Sequence, residues 1–99
     1  MNDLSVVILE IAASEIREAA RWYQAQRYGL GGEFSRAAQA CVEAIARNPN
    51  AYPTVVGPIR KALVRKFPYA IYYTSVEQTI FIIACYHGRR DPTSLQDRL

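Results

Sequence analysis

The sequence predicts an α+β domain in which a helical hairpin packs on a small, mainly antiparallel sheet, in the order β-α-α-β-β-β. Three observations support this fold class. Apolar residues recur at helical spacing between residues 13 and 47. After Pro58 the pattern changes to short β-branched and aromatic runs separated by turn residues. The chain has 99 residues, about half of them hydrophobic, so we expect residues 1–99 to form a single domain around one core.

The first half of the chain predicts one strand and two helices. Leu4–Leu9 is short and rich in β-branched residues, which is typical of a buried strand. A helix over about 13–26 is predicted by an apolar stripe at i, i+3, i+4 and i+7, formed by Ile16, Ala19, Ala20 and Tyr23. A second helix over about 32–47 is predicted by the stripe Phe34, Ala37, Ala38, Cys41 and Ile45. The glycines at 29, 31 and 32 should end the first helix and leave a short loop between two antiparallel helices.

The second half predicts three strands at hairpin spacing. Residues 51–58 should form a loop, because they contain two prolines and a glycine. The strands are predicted over Ile59–Phe67, Tyr69–Thr74 and Thr79–Tyr86. The last run is apolar on both faces, so this strand should be central or covered on both sides. Leu95 and Leu99 stand at i and i+4, which predicts one helical turn that attaches the tail to the core.

Charge is distributed unevenly along the chain. Residues 1–58 carry five arginines against six acids, a net charge of −1. Residues 59–99 carry seven basic residues against three acids, a net charge of +4. A basic C-terminal half favours an anionic partner, such as nucleic acid, the ribosome surface or an acidic peptide. A solvated basic edge without a partner explains the charge equally well.

Two cysteines and the N-terminal segment bear on localisation. Cys41 falls in a helical stripe and Cys85 in an apolar strand, so both are expected to be buried, and the chain contains no C-x-x-C spacing. The apolar run Leu4–Leu9 is stopped by Glu10, and it is too short for a signal peptide or a membrane span. We therefore expect a cytoplasmic protein that does not bind a membrane.

A basic strand is the first candidate for function. Within Ile59–Phe67, Lys61 and Arg65 share one side of the predicted strand, and Arg60 and Lys66 share the other. These cations can bind an anion such as a phosphate. They can equally protect an edge strand from aggregation. The residues alone leave both interpretations open.

The end of the last strand is the second candidate. His87 is the only histidine of the chain, and Gly88, Arg89 and Arg90 follow it directly. Arginine binds phosphate bidentately, and histidine exchanges a proton near neutral pH. The segment therefore suits chemistry at a phosphodiester. The alternatives are a histidine that caps the strand and a turn held by local pairing of Arg90 with Asp91.

The sequence supports no other reaction class. The glycines at 29–32 lie between two helices rather than after a strand, so they form neither a P-loop nor a dinucleotide site. No serine lies in a nucleophile elbow. A single histidine without clustered carboxylates cannot build a metal site. We therefore expect neither a cofactor nor a metal ion.

Four segments of the chain resemble the RelE/ParE toxins of bacterial type II toxin–antitoxin systems. They are Asn48–Pro53, Arg65–Tyr73, His87–Pro92 and the closing Leu95–Leu99, set in the order β-α-α-β-β-β. The resemblance covers essentially the whole chain. It implies a toxin that arrests growth and is held inactive by a cognate antitoxin, whose C-terminal segment wraps the toxin.

The resemblance implies one of two targets. RelE-like members cut mRNA in the ribosomal A site, and ParE-like members poison DNA gyrase. An RNA-cutting member would use His87 for proton transfer and Arg65 and Arg89 as cations. This chain has no tyrosine after Tyr86 and no glutamate in the loop directly before the basic strand, which reads Val-Val-Gly-Pro over residues 55–58. Its His-x-Arg-x-Asp spacing is more similar to ParE. The resemblance therefore implies a ParE-like toxin acting on DNA gyrase, with a RelE-like ribosome-dependent mRNA endonuclease as the alternative.

Two binding surfaces follow from these interpretations. The target should contact the cations, which are Arg60, Lys61, Arg65, Lys66, Arg89 and Arg90. The antitoxin should contact Trp22 and Tyr28, because the hairpin carries more aromatic surface than its packing needs. A third alternative is a non-catalytic module whose basic groove binds an acidic peptide.

Overall fold

A computed structural model describes residues 4–99 and confirms the α+β fold class. The two helices are α1 (Glu10–Gln26) and α2 (Leu30–Arg47). The strands are β1 (Ser5–Ile8), β2 (Thr54–Val56), β3 (Ile59–Leu63), β4 (Tyr69–Val76) and β5 (Thr79–His87). A 3₁₀ helix, Thr93–Arg98, closes the described chain. No helix among residues 4–99 has the length and apolar character needed to cross a membrane.

The five strands form one sheet in the order β1-β5-β4-β3-β2. β1 runs parallel to β5, and the remaining neighbours are antiparallel, so the sheet is mainly antiparallel as predicted. β5 lies between β1 and β4 and is buried on both faces. The prediction that the last apolar run is central is therefore confirmed.

Two predicted boundaries on this sheet were wrong. The segment 51–58 is not entirely loop, because β2 forms at its centre and Thr54 pairs with Arg60. The predicted strand Ile59–Phe67 ends at Leu63, since residues 64–67 fold into a tight turn. The Phe67 N–H donates to the Val64 carbonyl in this turn, and Lys66 adopts a φ of 71°. Arg65 and Lys66 therefore do not alternate across a strand with the cations before them.

The helical hairpin is confirmed, but its break lies at a single glycine. Gly29 adopts a φ of 88°, and α2 begins at the next residue. Gly31 therefore lies inside α2 rather than in the loop, and α2 begins two residues before its predicted start at about residue 32. A Cβ atom on Gly31 would lie 2.6 Å from the Ala20 carbonyl oxygen, so this glycine lets the two helices approach closely.

The sheet separates two apolar clusters. The cluster under the helices contains Phe34, Ile45, Ile71, Tyr73 and Ile82, together with Cys41 and Cys85. The two cysteines are buried and free, as expected. The cluster on the opposite face contains Ile59, Tyr72, Ile83, Tyr86 and Leu95.

The C-terminal 3₁₀ helix covers the second cluster. Leu95 is 1% exposed and packs into it, whereas Leu99 is 60% exposed. The prediction that both leucines attach the tail to the core holds only for Leu95. The reason is that the tail forms a 3₁₀ helix, so residues i and i+4 do not share one face.

Candidate functional site

One end of the sheet collects both candidate segments. β3 ends there, β4 begins there and β5 ends there, because Tyr69 pairs with His87. The turn 64–67 carries Arg65 and Lys66, and the turn 87–90 carries Arg89 and Arg90. We call residues 64–67 together with 87–90 the cationic end. The topology therefore joins two segments that are well separated in the sequence.

An aromatic cluster fixes the cationic end to the helices. It consists of Tyr23, Phe34, Phe67 and Tyr69, with ring centroids 4.8–6.0 Å apart. Four of these ring pairs pack edge-to-face and the Tyr23–Phe34 pair is stacked, and contacts of both kinds stabilise beyond the area that they bury. Burial raises the pKa of both Tyr23 and Tyr69. These tyrosines therefore position the turn 64–67 as neutral groups.

The two aromatic residues predicted to bind an antitoxin are both exposed. The Trp22 ring packs edge-to-face with Tyr23 of the aromatic cluster, with ring centroids 5.1 Å apart, and Trp22 is 57% exposed. Tyr28 lies in the loop of the helical hairpin and is 90% exposed. Both side chains are thus accessible, and their contact with an antitoxin stays a prediction.

Arg60 and Lys61 make contacts within the protein. The Arg60 guanidinium donates a hydrogen bond to the Tyr52 carbonyl and so holds the loop that follows α2. The Lys61 ammonium donates to the Gly88 carbonyl at 2.6 Å. Both residues are half-buried. Lys61 therefore contacts the turn 87–90 of the cationic end, whereas Arg60 contacts the loop after α2. That all six cations bind a target stays a prediction.

His87 is part of the turn that follows β5. Its Nδ1 atom accepts a hydrogen bond from the Arg89 N–H at 3.1 Å, and its carbonyl accepts one from the Arg90 N–H. Because Nδ1 accepts this hydrogen bond, the N–H of the imidazole ring is on Nε2. The histidine is exposed at the end of β5. Its side chain caps the strand, which is one of the two structural alternatives considered from the sequence.

The residues after His87 take separate partners. The Arg90 guanidinium lies over the Tyr86 ring, 4.3 Å from its centroid. Asp91 accepts hydrogen bonds from the hydroxyl and the N–H of Thr93, which lower the pKa of its carboxyl. The turn is therefore not held by pairing of Arg90 with Asp91. Arg89, which precedes them in the turn, is exposed.

A groove of about 560 Å³ opens between α2 and the turn 64–67. Its cations are Arg36 and Arg47 from α2 and Arg65 and Lys66 from the turn, and Glu33 is its acid. The part of the wall supplied by α2 is formed largely by alanines. Neither Arg36 nor Arg47 was predicted from the sequence to belong to a site. Their spacing could have indicated a shared surface. One helical face of α2 carries, at i, i+4, i+8 and i+11, Arg36, Ala40, Ala44 and Arg47.

No protein-family model matches the chain, and no curated protein matches it. Among solved structures, a chain of the chromosomal ParDE TA system from P. aeruginosa matches with a TM-score of 0.65. The match covers 85% of this chain and 95% of that chain, at 16% sequence identity. The two chains share a fold. The fold expected from the resemblance to the RelE/ParE toxins is therefore confirmed.

The chemistry available on this ParDE-like fold is cationic. Burial raises the pKa of Cys41 to about 11 and that of Cys85 to about 12, so both thiols stay protonated near neutral pH. Residues 4–99 contain no group of three or more His, Cys, Asp or Glu side chains placed to hold a metal ion. The groups that remain are the guanidinium and ammonium groups of the cationic end and the imidazole of His87. They suit binding of an anionic surface or proton transfer at a phosphodiester.

Proposed function

We propose that this chain is the toxin of a type II toxin–antitoxin pair, that it is ParE-like and acts on DNA gyrase, and that a cognate antitoxin neutralises it. The observation that carries the proposal is the fold shared with a chain of a ParDE TA system over 85% of the present chain. Fold alone does not determine activity, so the choice of target depends on the site.

The surroundings of His87 favour gyrase over mRNA as the target. One of its two ring nitrogens is engaged by the Arg89 N–H within the turn. The chain offers no tyrosine after Tyr86 to complete a catalytic set. With Nδ1 engaged in the turn, only Nε2 of His87 is free to exchange a proton with a substrate, and phosphodiester cleavage would need a second group for the other proton transfer. The arrangement is better suited to a strand cap than to a catalyst.

The proposed target surface consists of the exposed cations of the cationic end. Arg65 and Lys66 project from one turn and Arg89 from the other. Arg90 lies over Tyr86 at the edge of this surface. Lys61 donates to the Gly88 carbonyl of this surface, and Arg60 lies next to it in β3, so both are proposed to contribute to the target surface from its edge. The exposed rings of Trp22 and Tyr28 are proposed to contact the antitoxin.

A RelE-like mRNA endonuclease is the second candidate. The observation in its favour is that His87 is exposed and stands next to Arg89, at the same end of the sheet as Arg65. A guanidinium pair could stabilise a phosphorane while the free Nε2 moves a proton. A non-catalytic module that binds an acidic peptide is the third candidate.

The test begins with expression of the chain alone from an inducible promoter. We expect the chain alone to arrest growth, and we expect co-expression of the neighbouring gene to relieve the arrest. The purified chain should then inhibit DNA supercoiling by gyrase and leave mRNA intact on programmed ribosomes. Cleavage of A-site codons with unaffected gyrase would establish the endonuclease instead. Normal growth and no effect in either assay would leave only the peptide-binding module.

A further inference from the structure

Strand β1 forms one edge of the sheet, and it lacks the features that usually protect such an edge. Among residues 4–99 it pairs with β5 alone, and its residues, Ser5–Ile8, carry no charge. Charged residues, prolines and bulges are the common protections of an exposed edge. The opposite edge has two of them, because β2 follows Pro53 and its register shifts between Thr54 and Val56. β1 is therefore the edge better suited to pairing with a further strand.

The backbone of β1 presents a regular set of hydrogen-bonding groups at this edge. The N–H groups of Ser5 and Leu9 donate to carbonyls of the neighbouring segment 78–82. In a parallel pair of strands, alternate residues point their N–H and C=O groups toward the same neighbour. Those of Val6 and Ile8 therefore point away from β5, to the side where residues 4–99 supply no further strand. These groups are free to bond to a strand of another chain.

Exposed apolar side chains lie beside these groups on both faces of the sheet. Val6, Val7 and Ile8 are between 38% and 44% exposed. Leu4 packs on the cluster under the helices, and Leu9 packs on the cluster of the opposite face. Because side chains alternate along a strand, Val6 and Ile8 lie on the helix side and Val7 lies on the opposite side. The edge is therefore apolar above and below its free hydrogen-bonding groups, which is typical of a strand that pairs with another chain.

We propose that β1 pairs antiparallel with β1 of a second copy of this chain, about a two-fold axis at Val7. In this register Val6 lies opposite Ile8 of the second copy, and Val7 lies opposite its own counterpart. The N–H and C=O groups that Val6 and Ile8 point outward then bond to each other across the axis, because two-fold symmetry gives each donor an acceptor. The two sheets join into one continuous sheet.

The side chains of the edge fit this register. A hollow of about 380 Å³ lies next to Ile8 on the helix side, and Ile16 and Val42 also line it. Val6 of the second copy lies opposite Ile8 and faces this hollow. On the other face the two Val7 side chains meet as a non-hydrogen-bonded pair, in which side chains lie closest together. The pairing therefore buries apolar surface on both faces of the sheet.

A second copy fits this edge better than a strand of a different protein. A foreign strand has to be selected by its side chains, through charges or hydrogen bonds that reject other strands. In β1, Ser5 is the one polar residue, and the other side chains are aliphatic. The strand therefore offers little with which to select a foreign partner, whereas a second copy matches it by symmetry alone.

The pairing leaves the cationic end free. β1 lies beside residues 79–82 of β5, whereas the cationic end lies where this strand ends, at His87. Because the two copies are antiparallel, their cationic ends point in opposite directions. The dimer therefore presents two cationic ends, and its formation does not depend on the target that they bind.

Sedimentation equilibrium of the full-length chain over a range of concentrations tests the pairing. One short strand buries less than the roughly 800 Å² per partner of a stable interface, so we expect a weak dimer with a Kd on the order of 100 µM. Val7→Lys should raise this Kd by about tenfold or more, because it sets like charges directly opposite each other. The matched control is Val55→Lys on the opposite edge, where the valine is 39% exposed against 40% for Val7. It should change the Kd by less than about twofold.

Cysteine crosslinking tests the register with a milder substitution. The thiol of Val7→Cys lies opposite its own counterpart, at a Cβ separation that a disulfide can bridge. Mild oxidation with diamide should therefore crosslink Val7→Cys into dimers. Val55→Cys and the wild type should give little dimer, because the native thiols of Cys41 and Cys85 are buried.

The same measurements can overturn the proposal. A wild-type chain that stays monomeric at about 1 mM would do so, since a dimer of the expected affinity is largely formed there. A dimer that Val55→Lys weakens as much as Val7→Lys, or equal crosslinking of Val7→Cys and Val55→Cys, would place the interface elsewhere. A monomeric chain that binds an extended apolar peptide at β1 would make a foreign strand the occupant. If Val7→Lys does not fold, crosslinking of Val7→Cys decides.

Discussion

Arg98 in the C-terminal 3₁₀ helix forms a bidentate ion pair with Glu15 in α1, with distances of 2.8 and 3.0 Å between guanidinium nitrogens and carboxylate oxygens. Arg98 also donates to the Ile83 carbonyl at 2.8 Å, and Glu15 accepts from the Cys85 N–H at 3.0 Å. Both backbone groups lie beyond Ile82, the last β5 residue paired with β1. The ion pair therefore completes the hydrogen bonding of β5 where its neighbouring strand ends.

Replacing Arg98 with alanine should lower the free energy of unfolding by about 2–4 kcal/mol, because Glu15 and the Ile83 carbonyl lose their partner in a largely buried position. The side chains of this pair are only 18% and 17% exposed. The matched control is Arg17→Ala, whose ion pair with Glu10 is exposed and should contribute less than about 1 kcal/mol. Urea denaturation of both variants measures the difference. Equal midpoints would mean that the buried pair stabilises no more than the exposed one.

The two leucines of the tail should differ sharply in their effect on stability. Leu95→Ala should lower the free energy of unfolding by about 2–4 kcal/mol, because a buried side chain leaves a cavity. Leu99→Ala should change it by less than about 0.5 kcal/mol, because Leu99 is exposed. Thermal melting of the two variants compares them directly. A Leu99 variant as unstable as the Leu95 variant would restore the sequence-based view that both leucines attach the tail.

Adjacent tyrosines in β4 should respond in opposite directions to removal of the hydroxyl. The buried Tyr72 hydroxyl has no hydrogen-bond partner among residues 4–99, whereas the Tyr73 hydroxyl donates to the Pro49 carbonyl at 2.6 Å. Tyr72→Phe should stabilise the fold by up to about 1 kcal/mol, and Tyr73→Phe should destabilise it by about 1 kcal/mol. Denaturant midpoints of the two variants test this. A loss of stability in Tyr72→Phe would show that its hydroxyl does form a favourable contact.

Stability should fall in alkaline solution. Burial raises the pKa of Tyr72, Tyr73 and Cys85 to about 12 and that of Cys41 to about 11. The unfolded chain releases these protons near the ordinary values of 9.0 for the thiols and 10.0 for the phenols, so deprotonation favours unfolding. The stabilisation is complete below about pH 9 and is lost as the pH rises toward about 12. Urea midpoints across that range should decline, and a constant midpoint would contradict the burial of these groups.

Toxicity should depend on Arg89 and not on the acid–base chemistry of His87. Arg89→Ala should abolish growth arrest with a change in stability of less than about 0.5 kcal/mol, because Arg89 is exposed. His87→Gln keeps a hydrogen-bonding side chain and should leave growth arrest intact. A ribonuclease that relies on His87 would lose activity by about 10²–10⁴-fold. Growth curves and melting temperatures of both variants decide between the two targets.

The fold was predictable because hydrophobic periodicity determines most of it. The apolar stripes of α1 and α2 indicate two helices and the faces that they bury, and the apolar run of β5 indicates a strand that is buried on both faces. β2 was missed because three residues between a proline and a glycine are too few to show a period. The end of β3 was misplaced because Lys66 adopts a left-handed conformation, which only glycine or asparagine would have signalled.

The candidate site was predictable only in part, because its geometry is tertiary. Arg65 and Arg89 were recognised individually, and the pairing of β4 with β5 brings their segments to one end. Arg36 and Arg47 appeared as ordinary solvated helix residues until α2 was placed beside the turn 64–67. The ion pair of Glu15 with Arg98 follows no local pattern at all. Its partners are far apart in the sequence, so only the folded chain reveals them.

The parallel pairing of β1 with β5 sets the order in which the chain can finish folding during synthesis. Ser5 pairs with Thr79, so β1, which is made before the other described strands, must wait for β5, which is made after them. Val6, Val7 and Ile8 remain without a sheet neighbour until then, whereas β3, β4 and β5 form by local hairpins. A nascent chain that stops before β5 therefore exposes an apolar strand, which is a substrate for proteases and a seed for aggregation. We therefore expect chains that stop before β5 to be degraded or to aggregate, since β1 and β4 both lose the neighbour that β5 supplies.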